Sequence, residues 1–182
     1  LIGPEGKMLL QDEGIPFPAF FAMMTRRHMY EFGTTKEQLA MVSVKNHKHG
    51  TVNPYASYQS EVTLEEVLNS RLICDPVHLL EICPSTDGGS AVVLASENVA
   101  RQYTTKPVEI RACSLSGPPY KGKSSITTFL SAVIGSKQAY EMAGVGSEGI
   151  DLVEMHDDSS AFEVFTYEDL GFCKKGEGGR FI

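Results

Sequence analysis

The fold is decided by one stretch of the sequence, GIDLVEMHDDSS, which occupies residues 149–160. Its apolar part, residues 150–155, predicts a short β-strand, and the apolar pattern after it predicts a helix over residues 160–171. A histidine and two carboxylates, residues 156–158, therefore stand where a strand ends and a helix begins. α/β proteins build sites at such junctions, because side chains leave a fixed backbone and unpaired amides point at ligand oxygens. The same residues are also good helix N-caps, and spacing alone leaves both interpretations open.

The second half of the chain alternates strand patterns with helical patterns. The near-continuous apolar run at residues 91–95 suits a strand buried on both faces, and residues 108–113 predict a further strand. Residues 126–143 form the longest helical pattern. The first half predicts mainly helices and loops, with helices at 19–32 and about 35–47. The alternation predicts an α/β fold with a mostly parallel sheet and crossover helices.

Local signals mark the ends of several helices. Gly33 is predicted to end the first helix, and Thr34 or Thr35 to cap the second. Thr63 and Glu66 form a capping-box pattern that opens another short helix.

Composition indicates a soluble globular protein. The 182 residues are 42% hydrophobic and 21% charged, which fits one domain or part of a larger one. The net charge of −7 argues against nucleic acid as a partner. No apolar run approaches the roughly 20 residues needed to cross a bilayer, so no membrane span is predicted. The chain begins without methionine and stops where a new strand would start, as we expect of a piece of a longer protein.

The histidines and cysteines do not predict a metal site. The four cysteines form no CxxC pair, which leaves zinc poorly supported and favours reduced thiols in an intracellular chain. His47 and His49 have the spacing of a metal pair, but no third ligand is near in sequence and Lys48 repels a cation. His28 follows two arginines in a predicted helix and is expected at the solvated surface.

His156 remains as the candidate for proton transfer. It lies beside Asp157 and Asp158 and before a helix start. A helix N-terminus disfavours the imidazolium and nearby carboxylates favour it, so proton transfer near neutral pH is available in either case. A structural role is the alternative, since a lone histidine is usually structural.

Three blocks of sequence resemble the thiolases of the sterol carrier protein type. The first block combines residues 45–49 (KNHKH) with residues 53–55 (NPY), and the second is residues 83–96 (CPSTDGGSAVVLAS). The third combines residues 153–157 (VEMHD) with residues 166–173 (TYEDLGFC), and it resembles the region around the HDCF motif of that family. The blocks keep the order and approximate spacing of the family over nearly the whole chain, and together they are more specific than any one alone.

The resemblance implies a fold of two similar βαβαβαββ halves, layered αβαβα, of which this chain holds only part. On that map, residues 1–86 are the loop excursion of the N-terminal half, and residues 87–103 are the end of that half. Residues 104–182 are the first part of the C-terminal half. The chain is then a central fragment of the family's fold.

The resemblance also implies carbon–carbon bond chemistry on acyl-CoA, as 3-ketoacyl-CoA thiolysis or Claisen condensation in fatty-acid or sterol side-chain metabolism. A coenzyme A thioester is then the substrate, and no metal or redox cofactor is implied. Homo-oligomers are expected, with a cytoplasmic location in prokaryotes and a peroxisomal one in eukaryotes. A related branch acts as an aldolase on steroid side-chain CoA thioesters, together with a partner protein.

The chain departs from the family pattern at its catalytic residues. The nucleophilic cysteine at a helix start and the histidine of a Gly-His-Pro motif are both absent, so the chain as given is not expected to form the acyl-enzyme. By resemblance, His156 holds a water or donates directly to the thioester oxygen, which helps an oxyanion hole. Asp158 stands where the family has the cysteine of HDCF that acts as acid and base.

A carboxylate at that position changes the expected chemistry. An aspartate carboxyl group ordinarily has a pKa of about 4, which suits a base better than an acid at neutral pH. Retro-aldol cleavage needs a hydroxyl proton removed, and Asp158 fits that reaction at least as well as thiolysis. Three interpretations therefore stay open: a thiolase, a retro-aldolase, or a non-catalytic thiolase-like fragment that binds a partner or dimerises.

Overall fold

The structure, a computed structural model, describes residues 14–117 and 125–182. Helices make up most of its regular structure: α1 (Phe17–Phe32), α2 (Lys36–Gly50), α3 (Leu64–Asn69), α4 (Glu97–Tyr103), α5 (Leu130–Ala143), α6 (Ser160–Asp169) and α7 (Gly178–Phe181). Two short strands, β1 (Leu72–Cys74) and β2 (Val77–His78), pair antiparallel, and 3₁₀ turns cover Leu79–Glu81 and Ser147–Gly149. None of the described helices is long and apolar enough to cross a membrane.

Local capping decides where the first helices begin and end. α1 ends at Gly33, whose φ of 73° lies in the left-handed region that favours glycine. Thr35 caps α2: its hydroxyl accepts from the Gln38 N–H, and the Gln38 side chain accepts from the Thr35 N–H. Thr63 and Glu66 form the same reciprocal pair at the start of α3. The predicted stop and the predicted capping residues are therefore confirmed.

The core is a cluster of apolar side chains centred on α6, against which α1, α2 and α5 pack. Phe162 and Phe165 of α6 are buried within it. The Phe162 ring centroid lies 4.7 Å from that of Phe21 on α1 and 4.7 Å from that of Phe129, the residue before α5. Because burial of one such side chain contributes about 1.5–3 kcal/mol, these edge-to-face contacts hold α1 and the start of α5 against α6.

His28 of α1 belongs to a buried ionic cluster, although the sequence predicted it at the solvated surface. His28 is 1% exposed; its Nδ1 is 2.8 Å from the Thr34 hydroxyl, and its Nε2 is 3.1 Å from both carboxylate oxygens of Glu168. Lys175 pairs with the same carboxylate at 3.0 Å. Burial raises the pKa of Glu168, but the contacts with His28 and Lys175 outweigh burial and lower it overall. The surface prediction for His28 is wrong because its carboxylate partner lies 140 residues later in the sequence.

The predicted parallel sheet is absent from the part of the chain that the structure describes. Residues 91–95, 108–113 and 150–155 belong to no strand there, and the β1–β2 pair is the sheet that those described residues form. Val93 and Val108 are each 94% exposed. A parallel strand needs hydrogen-bonding neighbours at its edges and packed layers on its faces, and the described residues supply neither. The three strand predictions are therefore wrong for this chain as it stands.

Candidate active site

The HDD turn, residues 156–158, lies just before the N-terminus of α6. Ser159 has the extended backbone of an N-cap, but its side chain makes no capping hydrogen bond to any described residue. A second segment holds the turn instead: the Cys83 N–H donates to the Asp158 carbonyl at 3.1 Å, and Ile82 forms an antiparallel bridge with Ser159. Backbone contacts with residues 82 and 83, and not a side-chain cap at Ser159, thus hold the end of the turn.

The two predicted site residues, His156 and Asp158, are in contact. Nε2 of His156 lies 3.0 Å from Oδ1 of Asp158, with the imidazole side chain 77% exposed and the carboxylate 31% exposed. Both line a cavity of about 760 Å³. The cavity has an aromatic wall made of Phe17, Phe20, Phe21, Phe129 and Phe162. The pair therefore stands on the polar rim of an apolar hollow.

This arrangement places a hydrogen-bond donor and a proton acceptor on one rim. An imidazole N–H can donate a hydrogen bond to an oxygen that develops negative charge. The carboxylate can accept a proton from a ligand. Because the imidazole is exposed, a ligand in the cavity can reach it.

Asp157 takes part in a different group of contacts, a partly buried polar network that the sequence did not predict. The Asn46 amide of α2 donates from Nδ2 to Asp157 Oδ2 at 2.8 Å and to Glu163 Oε2 at 2.6 Å. Lys45 pairs with Glu163, which is 2% exposed, and donates to the Tyr167 hydroxyl at 2.9 Å. These five residues line a second cavity of about 610 Å³.

A sequence signal for this network did exist. Glu163 is the one charged residue in AFEVF, residues 161–165, a run that is otherwise apolar. A charged side chain inside an apolar run is rarely buried without a partner. Lys45 and Asn46 belong to the KNHKH block and offer that partner, although nothing in the sequence shows which block meets which carboxylate.

The network alters the acidity of its members. Burial, followed by the charge of Glu163, raises the pKa of Asp157 to about 6, although Lys45 opposes the rise. Burial and the hydrogen bond to Glu163 also raise the pKa of Tyr167 well above its ordinary value. Tyr167 therefore remains a hydroxyl donor at neutral pH, while Asp157 exchanges a proton at mildly acid pH.

Two of the cysteines are poorly suited to nucleophilic attack. Burial raises the pKa of the Cys83 thiol, and the carboxylates of Asp158 and Asp157 raise it further. Burial also raises the pKa of the Cys173 thiol to about 11. Thiols with a raised pKa stay protonated and react slowly.

His47 and His49 have no further metal-binding side chain beside them in the described ranges. The His47 ring stacks on Tyr58 with centroids 5.2 Å apart, and its Nδ1 lies 3.1 Å from the Ser60 carbonyl oxygen. Across residues 14–117 and 125–182, no group of three or more histidine, cysteine or acidic side chains has the geometry to hold a metal ion.

Comparisons with known proteins agree with the resemblance read from the sequence. Residues 118–182 match the family described as Thiolase C-terminal domain-like. The chain is 45% identical to an acetyl-CoA acetyltransferase of Methanothermobacter thermautotrophicus, over 93% of this chain and 45% of that protein. It is 39% identical to sterol carrier protein 2 of Bos taurus, over 91% of this chain and 32% of that protein. This chain belongs to the thiolase superfamily.

A solved structure extends the thiolase relationship to the fold. The chain superposes on a chain of an Ltp2-ChsH2(DUF35) aldolase with a TM-score of 0.86 and 34% identity, over 98% of this chain and 50% of that chain. The predicted α/β thiolase-like fold, only partly present, is therefore confirmed, although the described part consists mainly of its helices. This thiolase-family chain spans less than half the length of the curated relatives it matches.

Proposed function

We propose that the whole protein makes or breaks carbon–carbon bonds in acyl-CoA thioesters, with His156 on the oxyanion side and Asp158 as the base. One observation carries this assignment: the two side chains meet at 3.0 Å on the rim of an apolar cavity of about 760 Å³. The name of the related acetyl-CoA acetyltransferase supports a coenzyme A thioester as the substrate class.

The cavity and its rim match the two ends of such a substrate. The phenylalanine wall suits an apolar acyl chain or sterol side chain, because burial of apolar surface favours binding by about 25 cal/mol per Å². The thioester carbonyl oxygen then meets the imidazole of His156, and Asp158 faces the carbons next to that carbonyl.

Thiolysis of a 3-ketoacyl-CoA, or the reverse Claisen condensation, is the first candidate reaction. In thiolysis the C2–C3 bond breaks, the thiol of free coenzyme A ends on the shortened acyl group, and C2 takes up a proton. The covalent route needs an activated thiol. Cys83 and Cys173 have raised pKa values and do not supply it, so we expect that thiol to come from another part of the whole protein.

Retro-aldol cleavage is the second candidate, and the carboxylate of Asp158 beside His156 favours it. Asp158 removes the hydroxyl proton of a 3-hydroxyacyl-CoA, and the C2–C3 bond breaks. Its electrons pass into the thioester as an enolate that His156 stabilises. Protonation at C2 gives a shorter acyl-CoA, and C3 leaves as an aldehyde, or as a ketone where C3 carries two carbon substituents. The superposition on a solved aldolase supports this route. A non-catalytic role, in which the chain only binds a partner, is the third candidate.

We propose further that the protein pairs with a second copy of itself, and with an accessory protein if it is an aldolase. The exposed Val93 and Val108 support an apolar contact surface. The division of the chain at residues 86 and 103 stays a prediction, and the family match over residues 118–182 supports its last part. A cytoplasmic location, or a peroxisomal one in a eukaryote, also stays a prediction.

Two assays on the whole protein distinguish the reactions. One supplies a 3-ketoacyl-CoA with free coenzyme A, and the other supplies a 3-hydroxyacyl-CoA with a steroid side chain. We expect His156→Ala to lower kcat about 10²–10³-fold in whichever assay shows turnover, because an oxyanion donor is lost. Asp158→Asn is expected to lower kcat about 10²–10⁴-fold only where that carboxylate moves the proton.

Asp87→Asn is the matched control, since it removes an exposed carboxylate outside the residues that line the apolar cavity. Its kcat is expected to equal that of the unaltered protein. Full activity of His156→Ala in whichever assay shows turnover contradicts the assignment. Absence of turnover in both assays, with acyl-CoA binding retained, supports the non-catalytic candidate.

A further inference from the structure

We infer that Asn46 is a positioning residue for the His156–Asp158 pair, an inference that rests on the proposed function and deepens it. Asn46 lies on α2, 111 residues before Asp157 in the sequence. Its contact is with Asp157, the residue between the two members of the pair. We therefore expect Asn46 to act through the turn and without touching substrate.

One amide group joins three elements at this point. Nδ2 of Asn46 lies 2.8 Å from Asp157 Oδ2 and 2.6 Å from Glu163 Oε2. A primary amide carries two N–H donors, so each carboxylate can receive one of them. Asp157 belongs to the HDD turn and Glu163 to the first turn of α6. The amide on α2 thereby fixes the geometry with which the turn enters α6.

The charges around the amide make it difficult to replace. Lys45 pairs with Glu163, and Tyr167 donates its hydroxyl to the same carboxylate. Without the amide donors, the carboxylates of Asp157 and Glu163 lie close to each other, and the ammonium group of Lys45 pairs with Glu163. Repulsion between like charges is strong where water is largely excluded. Loss of the amide is therefore expected to move Asp157 and the backbone that carries it.

A movement of Asp157 also moves His156 and Asp158, because neighbouring residues of the turn line two different cavities. His156 and Asp158 line the apolar cavity of about 760 Å³, whereas Asp157 lines the polar cavity of about 610 Å³ with Asn46 and Glu163. Consecutive residues of the turn therefore reach different cavities, with Asp157 on one and its two neighbours on the other. A shift of Asp157 relative to α2 therefore displaces the pair on the other side. A displacement of about 1 Å can lower a catalytic rate by about 100-fold.

Three substitutions of Asn46 in the whole protein test this role. Asn46→Ala removes both donors, Asn46→Asp adds a third carboxylate of the same shape, and Asn46→Gln keeps both donors on a longer side chain. We expect kcat on the acyl-CoA substrate to fall about 10- to 100-fold for Asn46→Ala, with KM changed less than about twofold. The fall is expected to be larger for Asn46→Asp and smaller for Asn46→Gln.

A pH profile separates positioning from a general loss of folding. Lower pH protonates carboxylates. The activity of Asn46→Asp relative to the unaltered protein is therefore expected to rise as the pH falls from about 7 to about 5.5. Gln59→Ala is the matched control, because the Gln59 amide also donates two hydrogen bonds, to Pro54 O at 3.0 Å and Ala56 O at 3.1 Å within its own loop. Its kcat and KM are expected to stay unchanged.

NMR of the His156 imidazole distinguishes failure of this inference from failure of the proposed function. We expect the ring resonances to shift in Asn46→Ala and to stay in place in Gln59→Ala. Unshifted resonances with unchanged kcat in Asn46→Ala overturn the inference. Shifted resonances in a protein whose His156→Ala variant keeps full activity support the positioning role and overturn the proposed function. If Asn46→Ala does not fold, equal kcat values for Asn46→Gln and Asn46→Asp overturn the inference.

Discussion

At the N-terminal end of α6, three adjacent ionisable residues meet two different environments. His156 and Asp158 lie on the rim of the apolar cavity and contact each other. Asp157, between them, is tied to Asn46 and lies next to Glu163, and its pKa is raised to about 6, chiefly by burial. Neighbouring carboxylates in one motif therefore have different surroundings: Asp158 lines the apolar cavity, and Asp157 accepts a hydrogen bond from Asn46.

The raised pKa of Asp157 predicts a dependence of stability on pH. Its folded-state pKa of about 6 lies above the unfolded value of about 4. Between about pH 4 and pH 6 the folded protein therefore binds more protons than the unfolded chain. The contribution of Asp157 to stability is thus present below about pH 4 and is lost as the pH rises through about 6. As the pH rises over that interval, we expect the free energy of unfolding of Asp157→Asn to increase relative to that of the unaltered protein. The expected increase is about 1–2 kcal/mol after allowance for partial exposure.

Urea unfolding at several pH values between about 4 and 7, followed by circular dichroism, measures this difference. The lowered pKa of Glu168 acts in the opposite direction, but it is common to both proteins and cancels in the comparison. Parallel pH dependences in the two proteins contradict the expectation.

At the scale of elements, α7 is joined to α6 by a close backbone approach. The Gly178 N–H donates to Glu168 Oε1 at 3.0 Å, and Gly178 is buried. A Cβ at that position lies only 2.5 Å from the Val164 carbonyl oxygen. The absence of a side chain at Gly178 is therefore what allows the start of α7 to reach the carboxylate that also holds His28.

Gly178→Ala is expected to lower the free energy of unfolding by about 1–3 kcal/mol, because the added methyl group forces α7 away from the backbone of α6. Urea unfolding measures this change. Gly88→Ala is the control, since a Cβ there meets no atom of the described residues within 4 Å. Equal effects of the two substitutions contradict the proposed cause.

At the scale of the whole molecule, a buried aromatic core coexists with apolar segments that face solvent. Phe165 is fully buried, whereas Val93 and Val108 are each 94% exposed and Leu115 is 98% exposed. Exposed apolar side chains of this kind favour association when they form a patch. The exposed residues lie in or near two of the segments with strand patterns, 91–95 and 108–113.

We expect the 182-residue chain to self-associate through these segments, and Val93→Lys with Val108→Lys to shift it towards the monomer. Analytical ultracentrifugation over a range of concentrations measures the change. Val52→Lys is the control, because Val52 is 83% exposed but lies outside the strand patterns. A chain that stays monomeric at every concentration contradicts the expectation.

The predictions that hold have causes within a few residues of one another. Gly33 ends α1 through its own backbone conformation, and Thr35 meets Gln38 three positions later. His156 and Asp158 are two positions apart, so their shared place before a helix start could be read directly from the HDD turn. Each of these features follows from short-range geometry, which the order of residues specifies without knowledge of the fold.

The predictions that fail, and the residues that were missed, depend on distant partners. His28 is buried by Glu168, and Asp157 meets Asn46 on α2. The strand patterns at 91–95 and 150–155 describe side chains suited to a sheet, but a sheet forms only where neighbouring strands supply hydrogen bonds. An apolar pattern shows that a segment is suited to burial, but it does not show whether other parts of the structure cover that segment.

By itself, the sequence determined the end of α1, the caps that begin α2 and α3, the position of the HDD turn before α6 and the membership of the thiolase superfamily. Only the tertiary structure decided that Asp157 and Asp158 line different cavities, that Asn46 bridges two carboxylates, and that Val93 and Val108 stay exposed. The reason is the range of the forces involved. Backbone conformation and capping act over about four residues, whereas burial, charge pairing and sheet formation depend on groups that folding brings from over 100 positions away.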